Sequence, residues 1–258
     1  MKLPGFDIQA AVDPLGFSYG PGVFGPPCEV RTLDAIRASL RDPNCSGPDP
    51  VYAIAMDVGT LAQKEDLIAR NLLFGAVTYA AGRLGAEPVR SQGHIHAVSA
   101  SCGRSTAEIY EIWGGKAVIL MQETANDDPG RCFAVTAGIG EVVVVPPGWA
   151  HATISADPEQ PLTFGAWCVR DFGFDYREVR AHGGLAWFPR LSGDTLEWER
   201  NPAYTADREL VVKSPGCYKA LGLLPGVPIW IQYIENPESV MWVPRPERAD
   251  TAWAGFRP

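Results

Sequence analysis

Three of the chain's four histidines fall within one stretch: His94 and His96 in Gly93-His94-Ile95-His96, and His151 closing Val145-Pro146-Pro147-Gly148-Trp149-Ala150-His151. Between them, Ala107-Glu108-Ile109-Tyr110 places one carboxylate in an otherwise apolar run. Side chains two residues apart on an extended strand share a face. His94 and His96 therefore present their rings side by side, and Glu108 and Tyr110 do the same on a second strand. Imidazole nitrogens with one carboxylate oxygen form a mixed donor set suited to a divalent first-row metal. His94, His96, Glu108 and His151 are the expected ligands, and the ion's identity (Fe2+, Mn2+, Zn2+ or Ni2+) is left open. The competing reading is a half-buried histidine pair with separate hydrogen-bond partners. Against it stand the crowding of histidines into one segment and the strand character around each. His182, in Arg180-Ala181-His182-Gly183-Gly184, reads as a turn or surface residue.

The elements that must position these residues are short strands. From residue 51 onward, apolar or alternating runs recur over 51–58, 74–79, 87–96, 107–113, 116–122, 132–137, 141–145, 150–155 and 162–169. Turn signals separate them, among them Gly114-Gly115, Asn126-Asp127-Asp128-Pro129-Gly130 and Gly138-Ile139-Gly140. Such a series predicts an all-β antiparallel sandwich or barrel with short peripheral helices. One helix is expected over 61–72 and another, capped by Thr32, over about the next ten residues. Residues 1–50, rich in glycine, proline and aromatics, read as a wrapping segment with that short helix. Residues 51–185 read as the barrel. Residues 186–258 are proline-punctuated and carry Trp187, Trp198, Trp230, Trp242 and Trp253; they are expected to pack on the barrel or on a partner subunit, with a strand over 226–233. The interval 97–106 is a polar loop at the barrel mouth. Arg104 in that loop reads as solvated more readily than as a substrate contact, and Cys102 as a small loop residue.

Length and composition bound the function. With 258 residues and 46% hydrophobic content, a packed core is attainable. A net charge of −8 without a Lys/Arg block disfavours nucleic acid and anionic membranes as partners. No run reaches membrane-span length, and Met1-Lys2-Leu3-Pro4-Gly5 lacks the apolar core of a secretion signal. Six cysteines without a CxxC pair read as reduced thiols of a cytoplasmic protein.

The Gly93-His94-Ile95-His96, Ala107-Glu108-Ile109-Tyr110, Gly114-Gly115 and Pro146-Pro147-Gly148-Trp149-Ala150-His151 series resembles the cupin-type (archaeal-type) glucose-6-phosphate isomerases. So does Asp171-Phe172-Gly173-Phe174-Asp175-Tyr176. The likeness runs from about residue 78 to 184 and more faintly back to about residue 31. It implies a cupin jelly-roll barrel, usually homodimeric, and a metal-dependent aldose–ketose isomerase of glycolysis and gluconeogenesis interconverting glucose 6-phosphate and fructose 6-phosphate. It places metal at His94, His96, Glu108 and His151, and substrate at Tyr52, Thr78, Ser91, Gly93, Tyr110 and Tyr176. A metal beside the reacting carbonyl would stabilise developing negative charge. Glu108 and Tyr110 are the expected catalytic pair, Glu108 either as general base or, in a hydride shift, as ligand and orienter only. Two departures bear on the substrate. Phe174 stands where the family has histidine, and the interval between His96 and Glu108 is longer than in the small archaeal enzymes. They keep a second reading open: another metal-dependent cupin enzyme (dioxygenase, decarboxylase or epimerase) acting on a different small polar metabolite.

Overall fold

The structure, a computed structural model, describes residues 3–193 and 195–258; positions 1 and 2, part of the stretch read for a secretion signal, lie outside the described residues, as does position 194. In chain order the strands used below are β1 (Glu29–Arg31), β2 (Tyr52–Met56), β3 (Leu72–Tyr79), β4 (Ile95–His96), β5 (Glu108–Gly114) and β6 (Ala117–Gln122). They continue as β7 (Cys132–Ala137), β8 (Val142–Val145), β9 (Ala150–Ser155), β10 (Leu162–Val169), β11 (Phe174–Asp175) and β12 (Leu210–Lys213). A six-stranded sheet has the order β8-β5-β10-β3-β2-β1 and a four-stranded sheet the order β9-β6-β7-β12. All ladders are antiparallel except β7–β12, which is parallel. β4 and β11 form a separate two-stranded ribbon.

The expected closed barrel is not found. The chain is mostly β with short helices, but neither sheet closes on itself, because no ladder among the described residues joins the outer strands of one sheet to those of the other. What holds the two sheets face to face is the period-two alternation along each strand. On β3, Leu73 and Tyr79 enter the core between the sheets, while Leu72, Phe74 and Ala76 face outward. On β10, Leu162, Phe164, Ala166 and Cys168 point inward and Trp167 outward. On β6, Ala117, Ile119 and Met121 point inward, while Val118 and Leu120 join a third cluster outside the four-stranded sheet. Both faces of each sheet are thus covered, which is why these strands read as nearly continuous apolar runs.

Residues 216–256 cover the outer face of the six-stranded sheet. Trp230 stacks on Trp167 with ring centroids 5.5 Å apart and planes within 5°. Phe74 meets both rings edge-on, at 4.6 and 5.3 Å. A Cβ on Gly59 would come within 2.6 Å of the Trp230 ring, so the glycine makes room for it. Three expectations from sequence change here. The strand expected over 226–233 is a turn leading into helix Ile229–Glu235; its β-branched and aromatic residues suit a strand, but burial of Ile229, Trp230 and Tyr233 against the sheet selects the helix. The strand expected over 87–96 splits into Glu87–Pro88 and Ile95–His96, because Pro88 lacks an N–H and Gly93 takes a left-handed φ of 87°. The helix expected over 61–72 shortens to a 3-10 turn, Leu61–Gln63, and Lys64–Ala69, and Asn71, at φ 56°, ends it. No helix among the described residues is long and apolar enough to cross a membrane.

Glu111 fastens that helix to the sheet. Its carboxylate accepts from the Ile229 N–H at 2.9 Å and from the Trp113 indole N–H at 2.9 Å. Burial nevertheless pushes its pKa up to about 7, above the ordinary 4.5, the two hydrogen bonds offsetting only part of the cost. A carboxyl whose folded pKa is raised binds more protons folded than unfolded between those values. Its contribution to stability is complete below about pH 4.5 and is lost as pH rises to about 7, at up to roughly 1.4 kcal/mol per pH unit. Glu111→Gln cannot ionise, so its denaturation midpoint is expected to improve relative to wild type between pH 5 and 7.5. Parallel midpoints across that window would show that Glu111 titrates normally.

Candidate metal centre and cavity

Main-chain pairing brings the distant histidines together. His94 and His151 exchange backbone hydrogen bonds, the His94 N–H donating to the His151 carbonyl at 3.0 Å and the reverse at 2.9 Å. His96 pairs with Phe174 across the β4–β11 ribbon. As expected for residues two apart, the His94 and His96 rings lie nearly parallel with centroids 5.4 Å apart. Glu108, on the inward face of β5, completes the set: one donor atom from each of His94, His96, Glu108 and His151 lies within 4.8 Å of the others. Glycine is needed at position 93, where φ is 87° and a Cβ would crowd Leu185 and Val179 at 3.3–3.4 Å.

The hydrogen bonds around this cluster test whether it suits a cation. His96 Nδ1 lies 3.0 Å from the Thr106 carbonyl, and His151 Nδ1 lies 3.1 Å from the Trp149 carbonyl. A carbonyl only accepts, so both Nδ1 atoms carry hydrogen, and each ring turns its Nε2 inward. Those nitrogens lie 3.1 and 3.2 Å from Glu108 Oε2. Lone pairs facing a carboxylate oxygen require a proton or a metal ion between them. His94 Nε2 is buried with no hydrogen-bond partner among the described residues. Burial, reinforced by His151 and His96, holds His94 neutral, well below the usual histidine range. Burial alone would raise the Glu108 pKa, but the contacts with His151 and His96 hold it well below the carboxylate range. Neutral imidazoles and an ionised carboxylate are the states a divalent cation binds, and the donor set fits one.

Around the ligands, the Tyr110 hydroxyl donates to Glu108 Oε2 at 2.7 Å and the Cys168 thiol to Oε1 at 3.2 Å. The cluster opens onto a cavity between the sheets. His94 and Glu108 line it, and so do Tyr52, Ser91, Gly93, Tyr110 and Tyr176 from the expected substrate set. Thr78 is not brought there. Its neighbours Val77 and Tyr79 line the cavity, so strand alternation turns Thr78 to the other face, where its hydroxyl meets Thr163 at 3.0 Å. Phe174 lines the cavity with its ring 4.4 Å from that of His94. Arg104 forms an ion pair with Asp250 at 2.8 Å, and the His182 ring stacks on Tyr204 at 4.3 Å; neither lines the cavity.

Sequence reasoning missed Arg31, Tyr79, Gln92 and Thr153, which line the cavity, and Cys168. Cys168 was within reach, because it continues the inward series Leu162, Phe164, Ala166. No motif pointed to Arg31.

The model of the glucose-6-phosphate isomerase (GPI) family matches residues 31–206, more than half of the 258 residues and including all four residues of the cluster. The chain belongs to this family. Curated GPI-family relatives include a glucose-6-phosphate isomerase of Thermococcus kodakarensis, 34% identical over 133 residues, covering 52% of this chain and 60% of the relative. Another is from Pyrococcus horikoshii, 33% identical over 113 residues, covering 44% of this chain and 54% of the relative. The chain thus spans less than two thirds of the length of these relatives. Among solved structures, an oxalate oxidase is similar at 14% identity with a TM-score of 0.36, over 48% of this chain and 54% of that one. At that score the likeness decides nothing about chemistry.

Proposed function

We propose that this GPI-family chain is a metal-dependent aldose–ketose isomerase on a cupin-type jelly-roll scaffold, interconverting glucose 6-phosphate and fructose 6-phosphate or a closely related sugar phosphate. The observation that carries the reading is the convergence of His94, His96, Glu108 and His151 at a cavity within the span that matches the family. Family likeness alone supports the finer picture of a cytoplasmic homodimer.

In this reading the three histidines and Glu108 hold a divalent ion, which when bound stabilises negative charge developing on the sugar oxygens. The other steps belong to the chain. Tyr110 stays protonated, since burial and the neighbouring Glu108 raise its pKa well above the usual tyrosine value. Its hydroxyl turns from Glu108 Oε2 to a sugar oxygen. In the proton route Glu108 takes the proton from one carbon and returns it to the next, while Tyr110 passes the proton of the adjoining hydroxyl to the former carbonyl oxygen. A hydride shift instead leaves Glu108 as holder and orienter. Solvent deuterium appearing in the product at turnover supports the proton route; a product free of solvent deuterium favours the shift. Ser91 accepts from the Thr153 N–H at 3.0 Å, and its hydroxyl stands in contact with that of Tyr79, which lines the same cavity.

The decisive assay strips the protein with a chelator, restores Fe2+, Mn2+, Zn2+ or Ni2+, and follows fructose 6-phosphate formation beside oxygen consumption. Isomerisation that appears only with metal supports the proposal. Phe174 offers no polar group where the family has histidine, and it favours the second reading. Oxygen uptake without isomerisation would therefore replace the isomerase by a dioxygenase on the same ligands.

A further inference from the structure

Arg31 is the only lysine or arginine among the described residues that line the cavity. It lies on the edge strand β1, which pairs with β2 so that Arg31 sits opposite Tyr52 and Glu29 opposite Ile54. Tyr52 and Ile54 line the cavity, so Glu29 and Arg31, two apart, present their side chains to the same space. The guanidinium stands beside the Tyr52 and Tyr176 hydroxyls and draws both pKa values down against the rise that burial imposes. In the free protein it is engaged by the Glu29 carboxylate, which is itself largely exposed, with 65% of its side chain accessible against 22% for Arg31.

The placement matters as much as the charge. β1 is four strands from β5, which carries Glu108. Between Arg31 and the cluster stands Tyr176, whose ring lies 5.9 Å from that of His94. Arg31 thus belongs to the rim of the cavity and not to the metal cluster. A ligand that touches both must carry its anionic group at the end remote from its reacting carbons. A terminal phosphomonoester on a short polyol chain meets that description, and a planar guanidinium fork matches phosphate oxygens well.

We infer that Arg31 is the anion anchor of this cavity and that Glu29 is its resident competitor, occupying the guanidinium until a phosphoryl group displaces it. The inference deepens the isomerase reading and rests on it for the identity of the substrate. It makes two halves of one ion pair act with opposite sign, which a structural salt bridge does not do. Arg31→Gln removes the anchor; Glu29→Gln removes the competitor.

The test uses the metal-reconstituted full chain and inorganic phosphate, titrated by calorimetry, beside KM and kcat for fructose 6-phosphate. Arg31→Gln is expected to weaken phosphate binding and raise KM tenfold or more with kcat changed less than threefold. Glu29→Gln is expected to tighten phosphate binding and lower KM severalfold. Arg31→Lys, which keeps charge but loses the fork, should fall between Arg31→Gln and wild type, and serves if the glutamine variant does not fold. Phosphate affinity unmoved by these substitutions, or weakened by both glutamine variants, would overturn the anchor-and-competitor assignment. If phosphate binding responds with opposite signs while no hexose phosphate is isomerised, the anion site stands and the isomerase reading falls. If isomerisation occurs with KM indifferent to Arg31, the reverse holds.

Discussion

Glu108→Gln is expected to lower isomerase turnover by about 10²–10⁴-fold, the usual worth of a positioned acid–base group, and to lose bound metal as well. The substitution keeps the size of the side chain and removes its charge. Two imidazole nitrogens at 3.1 and 3.2 Å then face a neutral amide in place of an anion. The Tyr110 hydroxyl at 2.7 Å and the Cys168 thiol at 3.2 Å lose a charged acceptor, and charge-assisted hydrogen bonds are roughly twice as strong as neutral ones. β5 remains paired on both sides by β8 and β10, so the fold survives. Metal content after dialysis and turnover under saturating metal are the two readings required. A variant that retains stoichiometric metal and wild-type turnover would leave Glu108 with no part in the chemistry.

Trp230→Ala is expected to act on stability alone. The side chain is 1% exposed and stacks on Trp167 from outside the six-stranded sheet. Truncating a buried tryptophan costs about 3–5 kcal/mol, which in a chain of this length lowers Tm by on the order of 10 °C. The metal cluster lies on the opposite face of the same sheet, where Ala166 and Cys168 point inward while Trp167 points out. Turnover well below the transition temperature should therefore match wild type. A variant that melts normally but loses activity would mean that the C-terminal segment reaches the site directly.

The cluster was legible because strand alternation and sequence spacing carry the same information. A histidine pair two apart must share a face, and Glu108 with Tyr110 must share another. The same rule turns Thr78 to the other face once Tyr79 faces the cavity, but only the packing of the strand shows which of the two faces inward. Arg31 was beyond reach, since its place depends on β1 pairing with β2 across an irregular segment. Helix Ile229–Glu235 was misread because its local preferences favour a strand and its packing partners, Trp167 and Phe74, lie more than sixty residues earlier. The tie from Glu111 to the Ile229 N–H spans 118 residues and leaves no periodic trace.

The mutual hydrogen bonds between the His94 and His151 main chains have an energetic consequence. Because the peptide scaffold rather than an arriving ion sets the spacing of these rings, the ordering entropy of the donors is already spent during folding. Loading then resembles a key entering a cut lock, and its enthalpy should be read almost entirely as coordination and proton release.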